Sequence, residues 1–557
     1  MQPIDFNSSE QSRRLPMDRR TFLQLAGWSL MSAGFVACSA PQPLSPPAAA
    51  EEAASTTSEP DLELALTAAP ATAAILPGAE TNVWRYTGEV LQGDPAALQT
   101  LEGSYLGPIL RLRQGQRVRI HFINDLPEAS IIHWHGLIVP EEMDGHPRYA
   151  VEPGERYVYD FTVNNRAGTY WYHPHPHGRT GPQVWMGLVG LLIVSDEEEA
   201  ALDLPDGDYD LPLVIQDRQF DDQQQFVYGG AAMGGGMMGG MNHGGMGGMM
   251  GGSSAAGGVD MMTSMMGQLG DRILVNGQAD FQASVATRAY RLRLLNGSNS
   301  RIYKLAWDDG TPLTVIGADG GLLERPVEKP YITLAPAQRA DLWVDFSQDA
   351  PGVQRQLVSL AFSGVEMGGM METNPLHQGA PFPVMTVQVD RQEAETRTLP
   401  ERLATPAALD PAQATNADAP RQFELYMQNM LWTINGREFE MDAVAQDEEV
   451  TLNQPMLWEF VNLPGRGMMA DFMAHPMHIH GVHFQVIDRQ VDPAYSEGWD
   501  SLYEGQVDEG LRDTVLVMPG ERVRLLMQFT EPGLFLYHCH LLEHEDLSMM
   551  RNFRVNA

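Results

Sequence analysis

The sequence predicts an all-β protein made of three consecutive β-sandwich units. Apolar and polar side chains alternate with a period of two in residues 117–122, 290–294 and 523–529, as they do in half-buried strands. A longer repeat supports this, because Pro-Gly-Glu-Arg occurs at residues 153–156 and 519–522, each time 19 or 20 residues before the first His of a pair. Such recurrence indicates related modules along one chain.

A weaker middle copy of the repeat, Pro336-Ala337-Gln338-Arg339, runs into a strand pattern without His. We therefore expect sandwich units at residues 79–197, 208–395 and 421–557, and metal ligands only in the outer two. The Pro/Ala-rich residues 400–420 form the expected linker before the last unit.

Composition excludes several classes of function. The 557 residues include 36 Lys and Arg against 72 Asp and Glu, which gives a formal net charge of −36. Nucleic-acid binding is excluded, because its affinity depends on basic side chains that neutralise phosphates. With 2 Cys the fold is not disulfide-stapled, and 43% hydrophobic residues suffice for ordinary cores. We expect a monomer.

The first 40 residues predict an export signal. Arg19-Arg20 within Asp18-Arg19-Arg20-Thr21-Phe22-Leu23-Gln24 precedes an apolar run to Ala37, which is typical of a twin-arginine signal peptide; an amphipathic N-terminal helix is the alternative. We expect a periplasmic protein, or one anchored on the outer side of the inner membrane. Cys38 ends Phe35-Val36-Ala37-Cys38, which resembles a lipoprotein site, and lipid anchoring there is a hypothesis. Residues 41–78 are expected to be a disordered tether.

Histidine pairs provide the main functional signal. Chance predicts roughly 0.5 His-x-His pairs by simple counting, whereas five occur. They are His133/His135, His173/His175, His175/His177, His478/His480 and His538/His540. Residues i and i+2 of a strand project from one face, so each pair can present two imidazoles to one metal cluster.

Cys539 lies between His538 and His540, so its side chain points to the opposite face of the same strand. One strand therefore serves two metal sites. His475 and His544 can complete the sulfur site, with Met549 beyond them. A His₂Cys set with a weak axial Met is the signature of a blue-copper centre. The alternatives are solvated surface His or a structural zinc site, which closes with four ligands.

Four motifs resemble those of the multicopper oxidases, most closely the bacterial copper-efflux (cuprous) oxidases and related laccases. They are His133-Trp134-His135-Gly136, Trp171-Tyr172-His173-Pro174-His175-Pro176-His177-Gly178, His475-Pro476-Met477-His478-Ile479-His480-Gly481 and His538-Cys539-His540-Leu541-Leu542-Glu543-His544-Glu545-Asp546. The resemblance extends from about residue 80 to the end. It implies three cupredoxin-like Greek-key domains.

The resemblance also implies four copper ions and their ligands. The type 1 ion would be held by His475, Cys539 and His544 with Met549 axial, and the type 2 ion by His133 and His478. The two type 3 ions would be held by His135, His173 and His540, and by His175, His480 and His538. His177 is an alternative to His173, although the family register favours His173.

By this resemblance the type 1 copper accepts electrons singly and passes them through Cys539 to the three-copper cluster, where O₂ becomes water. Asp144 and Glu545 match acidic positions that the family uses near the cluster for protons, and the alternative is that they are ordinary carboxylates.

Methionines point to the reductant. Residues 229–270 are dominated by Gly and Met, and a smaller group is formed by Met367, Met370 and Met371. Thioethers are soft ligands that favour Cu(I), whereas the alternative is an inert low-complexity loop. Asp471 and Met473, just before His475, match the place where cuprous oxidases hold substrate copper.

We therefore favour oxidation of Cu(I) to Cu(II) in copper tolerance, with phenols as weaker substrates. One alternative is a broad laccase that oxidises phenols, other small organic reductants or another metal ion such as Mn(II). Another is a copper-sequestering protein without turnover.

Overall fold

The structure, a computed structural model, describes residues 59–229, 231–232, 261–365, 374–406, 409–462 and 472–557. The predicted signal peptide, Cys38, most of the Gly/Met-rich segment, Met367, Met370 and Asp471 lie outside these residues. Within them, no helix has the length and apolar character needed to cross a bilayer.

The first module consists of two sheets that enclose one apolar core containing Trp134 and Tyr159. The four-stranded sheet has the order Thr81–Gln92, Leu62–Ala73, Arg117–Asn124 and Arg156–Thr162. The five-stranded sheet has the order Leu98–Gln99, Ile109–Arg113, Gly190–Ser195, Gly168–Pro174 and Ile132–His135. The His-rich strands therefore lie together at one edge of the second sheet.

The second module repeats this architecture around a core that contains Tyr290, Trp307 and Phe346. Its larger sheet has the order Gln278–Ala279, Arg272–Val275, Asp210–Arg218, Ala289–Asn296, Arg339–Asp345, Leu313–Ala318 and Gly321–Lys329. Its smaller sheet has the order Gln282–Ala286, Phe382–Arg391, Gln354–Ser359, Tyr303–Trp307 and Ile332–Leu334. Val227–Tyr228 and Ala231–Ala232 form a separate two-stranded ribbon.

The third module also has two sheets, and its core contains Trp432, Trp458 and Cys539. The six-stranded sheet has the order Leu431–Ile434, Arg421–Gln428, Met456–Asn462, Glu521–Met527, Phe484–Val491 and Leu511–Arg512. The five-stranded sheet has the order Glu449–Thr451, Met550–Asn556, Gly533–Cys539, His475–Ile479 and Thr514–Val517. Both predicted copper-binding strands of this module are neighbours in that sheet.

The described helices are short connections. The α-helices are Thr180–Met186, Glu197–Ala200, Met261–Met266, Ser496–Tyr503 and Leu542–Asp546. The 3₁₀ turns are Pro95–Ala97, Glu141–Met143, Pro147–Tyr149, Gly207–Tyr209, Pro411–Gln413, Gln446–Glu448 and Pro493–Tyr495. The all-β prediction is confirmed.

The sequence repeat is also a structural repeat. In each module the turn of the Pro-x-x-Arg phrase contains a residue with positive φ, namely Gly154 at 83°, Ala337 at 70° and Gly520 at 70°. Glycine adopts this conformation without strain, whereas alanine does so at a cost. The middle copy therefore keeps the turn without keeping its glycine.

The prediction of a disordered tether over residues 41–78 is wrong for its second half. Leu62–Ala73 is a strand that pairs antiparallel with Thr81–Gln92 and parallel with Arg117–Asn124. Its Leu62, Leu64 and Leu66 are fully buried. The period-two alternation of a strand is therefore present, but the Ala and Pro residues that follow make it hard to recognise in the sequence. Pro70 lies beyond Ala68, where the parallel pairing ends, and keeps a neighbour only in the antiparallel strand, opposite Trp84.

Candidate metal centre

A buried sulfur–nitrogen group lies inside the third module. The Cys539 Sγ is 3.5 Å from His475 Nδ1 and 3.7 Å from His544 Nδ1, and these side chains form one group of potential metal ligands. Strand register brings His475 and Cys539 together. Met477 lies opposite Cys539, and His475 is two residues before Met477 on the same strand, so it shares the same face. His544 comes from the helix Leu542–Asp546 that follows the Cys539 strand.

The surroundings of Cys539 favour a bound cation. Burial raises the pKa of the thiol well above its usual value, so a thiolate at neutral pH needs a positive charge beside it. The Leu541 N–H donates to Sγ at 3.4 Å. Met549 is fully buried; its N–H donates to the His544 carbonyl, and its own carbonyl accepts the Cys539 N–H. Backbone hydrogen bonds thus hold Met549, the predicted axial residue, next to Cys539 and His544.

A carbonyl from the second module covers the outer edge of this site. His544 Nε2–H donates to the Met265 carbonyl at 3.0 Å, and Trp432 Nε1–H donates to the same oxygen at 3.1 Å. The Trp432 ring lies 4.8 Å from the rings of both His475 and His544. Met265 belongs to the helix Met261–Met266, so the described end of the Gly/Met-rich segment contacts a candidate metal ligand directly.

A second group consists of eight buried histidines where the first and third modules meet. Its overlapping sets of potential ligands are His133/His135/His173, His133/His478/His480 and His175/His480/His538, and a further set joins His135 and His478 to the Asp513 carboxylate. His540 joins them, with its ring 5.1 Å from that of His135 and 5.3 Å from that of His173. Two strand pairs create the arrangement, since His133 lies opposite His173 and His478 lies opposite His538.

Hydrogen bonds fix which nitrogen of His133 and His478 faces the cluster. His133 Nδ1–H donates to the Asp144 carbonyl at 2.7 Å, and His478 Nδ1–H donates to the Asp513 carbonyl at 2.8 Å. Burial lowers the pKa of both imidazoles well below the usual value, so both are neutral. Their unprotonated Nε2 atoms then face each other at 3.4 Å. Two lone pairs in this position require a cation between or beside them.

The carboxylates of Asp144 and Glu545 both contact histidines of this group. His480 Nδ1–H donates to Asp144 Oδ2 at 2.7 Å, and His538 Nδ1 lies 3.1 Å from Glu545 Oε2. The Nε2 atoms of His480 and His538 lie 3.1 Å apart. Burial raises the pKa of Asp144, whereas His538 and His175 outweigh burial at Glu545 and lower its pKa.

Several ring nitrogens in the two groups are buried without a hydrogen-bond partner. These atoms are His135 Nδ1, His173 Nε2, His175 Nδ1, His475 Nε2 and both nitrogens of His540. Buried polar atoms are normally paired, so the unpaired His135 Nδ1 and His173 Nε2, whose residues belong to one ligand set, point to an ion. His475 and His175 instead turn their other ring nitrogens towards the two groups. Imidazoles with one thiolate and a nearby thioether suit copper. The donor set therefore fits the copper sites that the resemblance implies.

One strand connects the two groups. Cys539 lies in the sulfur group, while His538 and His540 project into the histidine cluster from the other face. The covalent path from the sulfur to either imidazole is therefore short. This is the arrangement that the Cys539 flanked by two His predicts.

Other predicted residues lie apart from these groups. Among the described residues His177 belongs to none of the ligand sets, and its ring lies 5.0 Å from Phe439. Met473 is buried beside the sulfur site, where its carbonyl accepts a hydrogen bond from Asn462. The positions of Asp471, Met367 and Met370 fall outside the described residues.

Sequence reasoning missed Asp513 and Arg339. Asp513 Oδ1 accepts a hydrogen bond from His135 Nε2 at 3.0 Å, and Arg339 Nη1 and Nη2 donate to its two oxygens at 2.8 and 2.5 Å. Burial raises the pKa of Asp513, but the guanidinium outweighs burial and holds that pKa below the usual range. The degraded Pro-Ala-Gln-Arg copy was the only signal that could have drawn attention to Arg339.

This fold and these sites define a copper-dependent oxidoreductase built from cupredoxin-like modules, and comparison with known proteins agrees. Multicopper oxidase family models match residues 82–199 and 410–557. A laccase of Bacillus stratosphericus is 30% identical over 82% of this chain and 90% of its own. The multicopper oxidase mco of Staphylococcus aureus is 28% identical over 81% and 83%. The McoA multicopper oxidase of the hyperthermophile Aquifex aeolicus has a TM-score of 0.70 at 34% identity, covering 90% and 97%. The chain belongs to the multicopper oxidases.

Proposed function

We propose that this multicopper oxidase uses Cu(I) as its main reductant. The observation that carries the proposal is the hydrogen bond from His544 Nε2–H to the Met265 carbonyl. It brings a Met-bearing helix against the electron-accepting site. Four Cu(I) ions would give four electrons, and O₂ with four protons would form two water molecules.

The proposal assigns four copper ions to the two groups. A type 1 ion would be held by His475, Cys539 and His544 together with Met549. A type 2 ion would be held by His133 and His478. The two type 3 ions would be held by His135, His173 and His540, and by His175, His480 and His538. When bound, copper supplies one-electron acceptance at the first site and four-electron reduction of O₂ at the cluster.

The protein's own groups orient these ligands and handle protons. Asp144 Oδ2 accepts the His480 Nδ1–H, which directs His480 Nε2 towards the cluster. His538 Nδ1–H donates to the Cys539 carbonyl at 3.2 Å, and Glu545 Oε2 lies 3.1 Å from the same nitrogen. Both carboxylates are almost fully buried. Burial raises the pKa of Asp144, so Asp144 can hold a proton at a defined oxygen close to where O₂ is reduced, whereas Glu545 stays ionised beside His538 and His175.

Two features favour Cu(I) over a phenol. The Met265 carbonyl covers the His544 edge that a planar organic reductant would need to approach. Met265 and Met473 are buried in the same apolar core as Cys539, and soft sulfur ligands favour Cu(I). Asp471, Met367 and Met370 remain candidates for substrate copper from the sequence.

A broad laccase activity is the second candidate, and relatives that carry the name laccase favour it. Oxidation of another metal ion such as Mn(II), or copper sequestration without turnover, are weaker alternatives. We further propose a role in copper tolerance, twin-arginine export to the periplasm or the outer side of the inner membrane, and action as a monomer. Lipid attachment at Cys38 belongs to the same proposal.

Parallel O₂-uptake assays with Cu(I) and with a phenol test the reductant. We compare the intact protein with Met473→Leu and with a deletion of residues 233–260. The proposal expects Cu(I) oxidation to fall in both variants while phenol oxidation stays equal or rises. Unchanged Cu(I) oxidation in the deletion would remove this segment from the reaction, and absence of O₂ uptake with either reductant would favour sequestration.

A further inference from the structure

The arginine of the repeated Pro-x-x-Arg phrase has a different environment in the second module. Arg156 of the first module is exposed, and Arg522 of the third is partly exposed and pairs with Glu459. Arg339 of the middle copy is fully buried, although this module supplies no histidine to the described ligand sets. A buried guanidinium is costly unless its donors are paired, so its partners indicate its role.

Every N–H of the Arg339 guanidinium has an acceptor. Nε donates to the Thr169 carbonyl at 3.0 Å, Nη1 to the Ala337 carbonyl at 2.9 Å, and Nη2 to the Asp319 carbonyl at 2.9 Å. The two remaining donors hold the Asp513 carboxylate in a bidentate pair. Arg339 thus joins the strand that carries His173 to the segment that carries Asp513. Lysine, with three donors on one atom, cannot reproduce this arrangement.

Asp513 in turn holds two predicted copper ligands in the required tautomer. Its Oδ1 accepts the His135 Nε2–H, which leaves His135 Nδ1 as the free lone pair in the cluster. Its backbone carbonyl accepts the His478 Nδ1–H, which leaves Nε2 facing His133. Thr514 Oγ1 donates to the same Oδ1 at 2.9 Å.

Two neighbouring features belong to the same arrangement. Gln338 Nε2–H donates to the Thr514 carbonyl at 3.0 Å, so two consecutive residues of the phrase contact residues 513–514. Gly136 follows His135 directly, and a Cβ there would lie 2.5 Å from Asp513 Oδ2 and 2.9 Å from Arg339 Nη2. The absence of a side chain at Gly136 gives the ion pair its space.

We propose that Arg339 is a positioning residue for the three-copper cluster, and that the second module thereby orients His135 and His478 through Asp513. The inference rests on the proposed copper assignment of the histidine cluster. In this view the middle copy of the repeat contributes no metal ligand of its own, and its arginine instead orients ligands that the other two modules carry. Outer partners of metal-bound imidazoles typically change metal affinity or activity 10- to 100-fold.

The main test compares Arg339→Lys with Arg291→Lys in the copper-loaded enzyme. Arg291 is an equally buried guanidinium in the adjacent strand, and it pairs with Asp341 and Glu199 rather than with residues that hold a histidine. We expect Arg339→Lys to lose cluster copper to a chelator about 10- to 100-fold more readily. It should also show an altered type 2 electron paramagnetic resonance spectrum and a lower kcat with unchanged KM for the reductant. Blue absorption should persist, and Arg291→Lys should match the wild type.

A charge-neutral pair of changes separates positioning from folding. Arg339→Met alone leaves the Asp513 charge buried and unpaired, so its melting temperature should fall. Adding Asp513→Asn should restore the melting temperature without restoring copper retention or the type 2 spectrum. If Arg339→Lys does not fold, Asp513→Asn is measured alone instead. We expect it to show the same change in the type 2 electron paramagnetic resonance spectrum.

Two results would overturn the inference. One is an Arg339→Lys spectrum and copper content that match those of Arg291→Lys; the other is recovery of copper retention together with the melting temperature in the double variant. A wild-type protein that shows no type 2 signal after copper loading would instead contradict the proposed copper assignment itself.

Discussion

The sulfur site and the histidine cluster are built in different ways. The sulfur site takes its three ligands from residues 475–544 of one module, with a carbonyl from Met265 on its outer edge. The cluster takes its histidines from two modules, and a third module contacts its hydrogen-bonded support through Arg339. The first site therefore depends on local packing, whereas the second depends on how three modules meet. Substitutions of residues that contact one site or both should therefore affect the sulfur site and the histidine cluster differently.

Cys539→Ser should have the largest effect. Because Cys539 is the sulfur ligand and also lies between His538 and His540, its loss should abolish blue absorption and reduce O₂ turnover to background. The histidine cluster should keep its copper, so metal analysis should show a loss of about one ion per chain. Loss of all copper would mean that the two sites do not assemble independently.

Asp144→Asn should affect the cluster while leaving the sulfur site intact. The amide can still accept the His480 hydrogen bond, but it cannot hold a proton at that oxygen. We expect O₂ turnover to fall about 100-fold with blue absorption unchanged, as measured by stopped-flow and visible spectra. Asp160→Asn is the matched control, since Asp160 pairs with Arg117 and Arg119 in the same module. Equal turnover in both variants would remove Asp144 from the reaction.

Trp432→Phe should act on the cover of the sulfur site. The change keeps the ring beside His475 and His544 but removes one hydrogen bond to the Met265 carbonyl. A hydrogen bond contributes about 1 kcal/mol, so we expect phenol oxidation to rise roughly five-fold relative to Cu(I) oxidation. Trp458→Phe provides a control in the same core. A constant ratio of the two activities would show that this contact does not select the reductant.

The smallest expected effect concerns pH and the second module. Burial raises the pKa of Asp341, but Arg291 and Arg293 outweigh burial and lower it. A depressed folded-state pKa stabilises the protein above the unfolded pKa of about 3.9, and this stabilisation is lost as pH falls through the folded value. Asp341→Asn should therefore reduce the free energy of unfolding by about 1–2 kcal/mol near pH 6, with a smaller difference near pH 3. Denaturant titrations measure this, and a difference that grows on acidification would contradict the sign.

Much of this organisation could be predicted because it is local in sequence. A His-x-His pair on a strand fixes its own face, and Cys539 between two His fixes the opposite one. The strand Leu62–Ala73 was not predicted because its many Ala residues weaken the apolar–polar alternation. Its alternate Leu side chains are nevertheless buried in the fold. Arg339 and Asp513 are 174 residues apart, and no local pattern reports such a contact. The Met265 contact uses a backbone carbonyl, which every residue possesses, so no side chain could reveal it.

The chain positions of the cluster ligands set an order of assembly. The earliest is His133 and the last is His540, so a growing polypeptide cannot complete this site before His540 has been synthesised. Cys539 and His540 are adjacent, and both metal groups therefore await the strand Gly533–Cys539. Copper delivered before that strand docks would meet only a partial set of imidazoles, without His538 and His540.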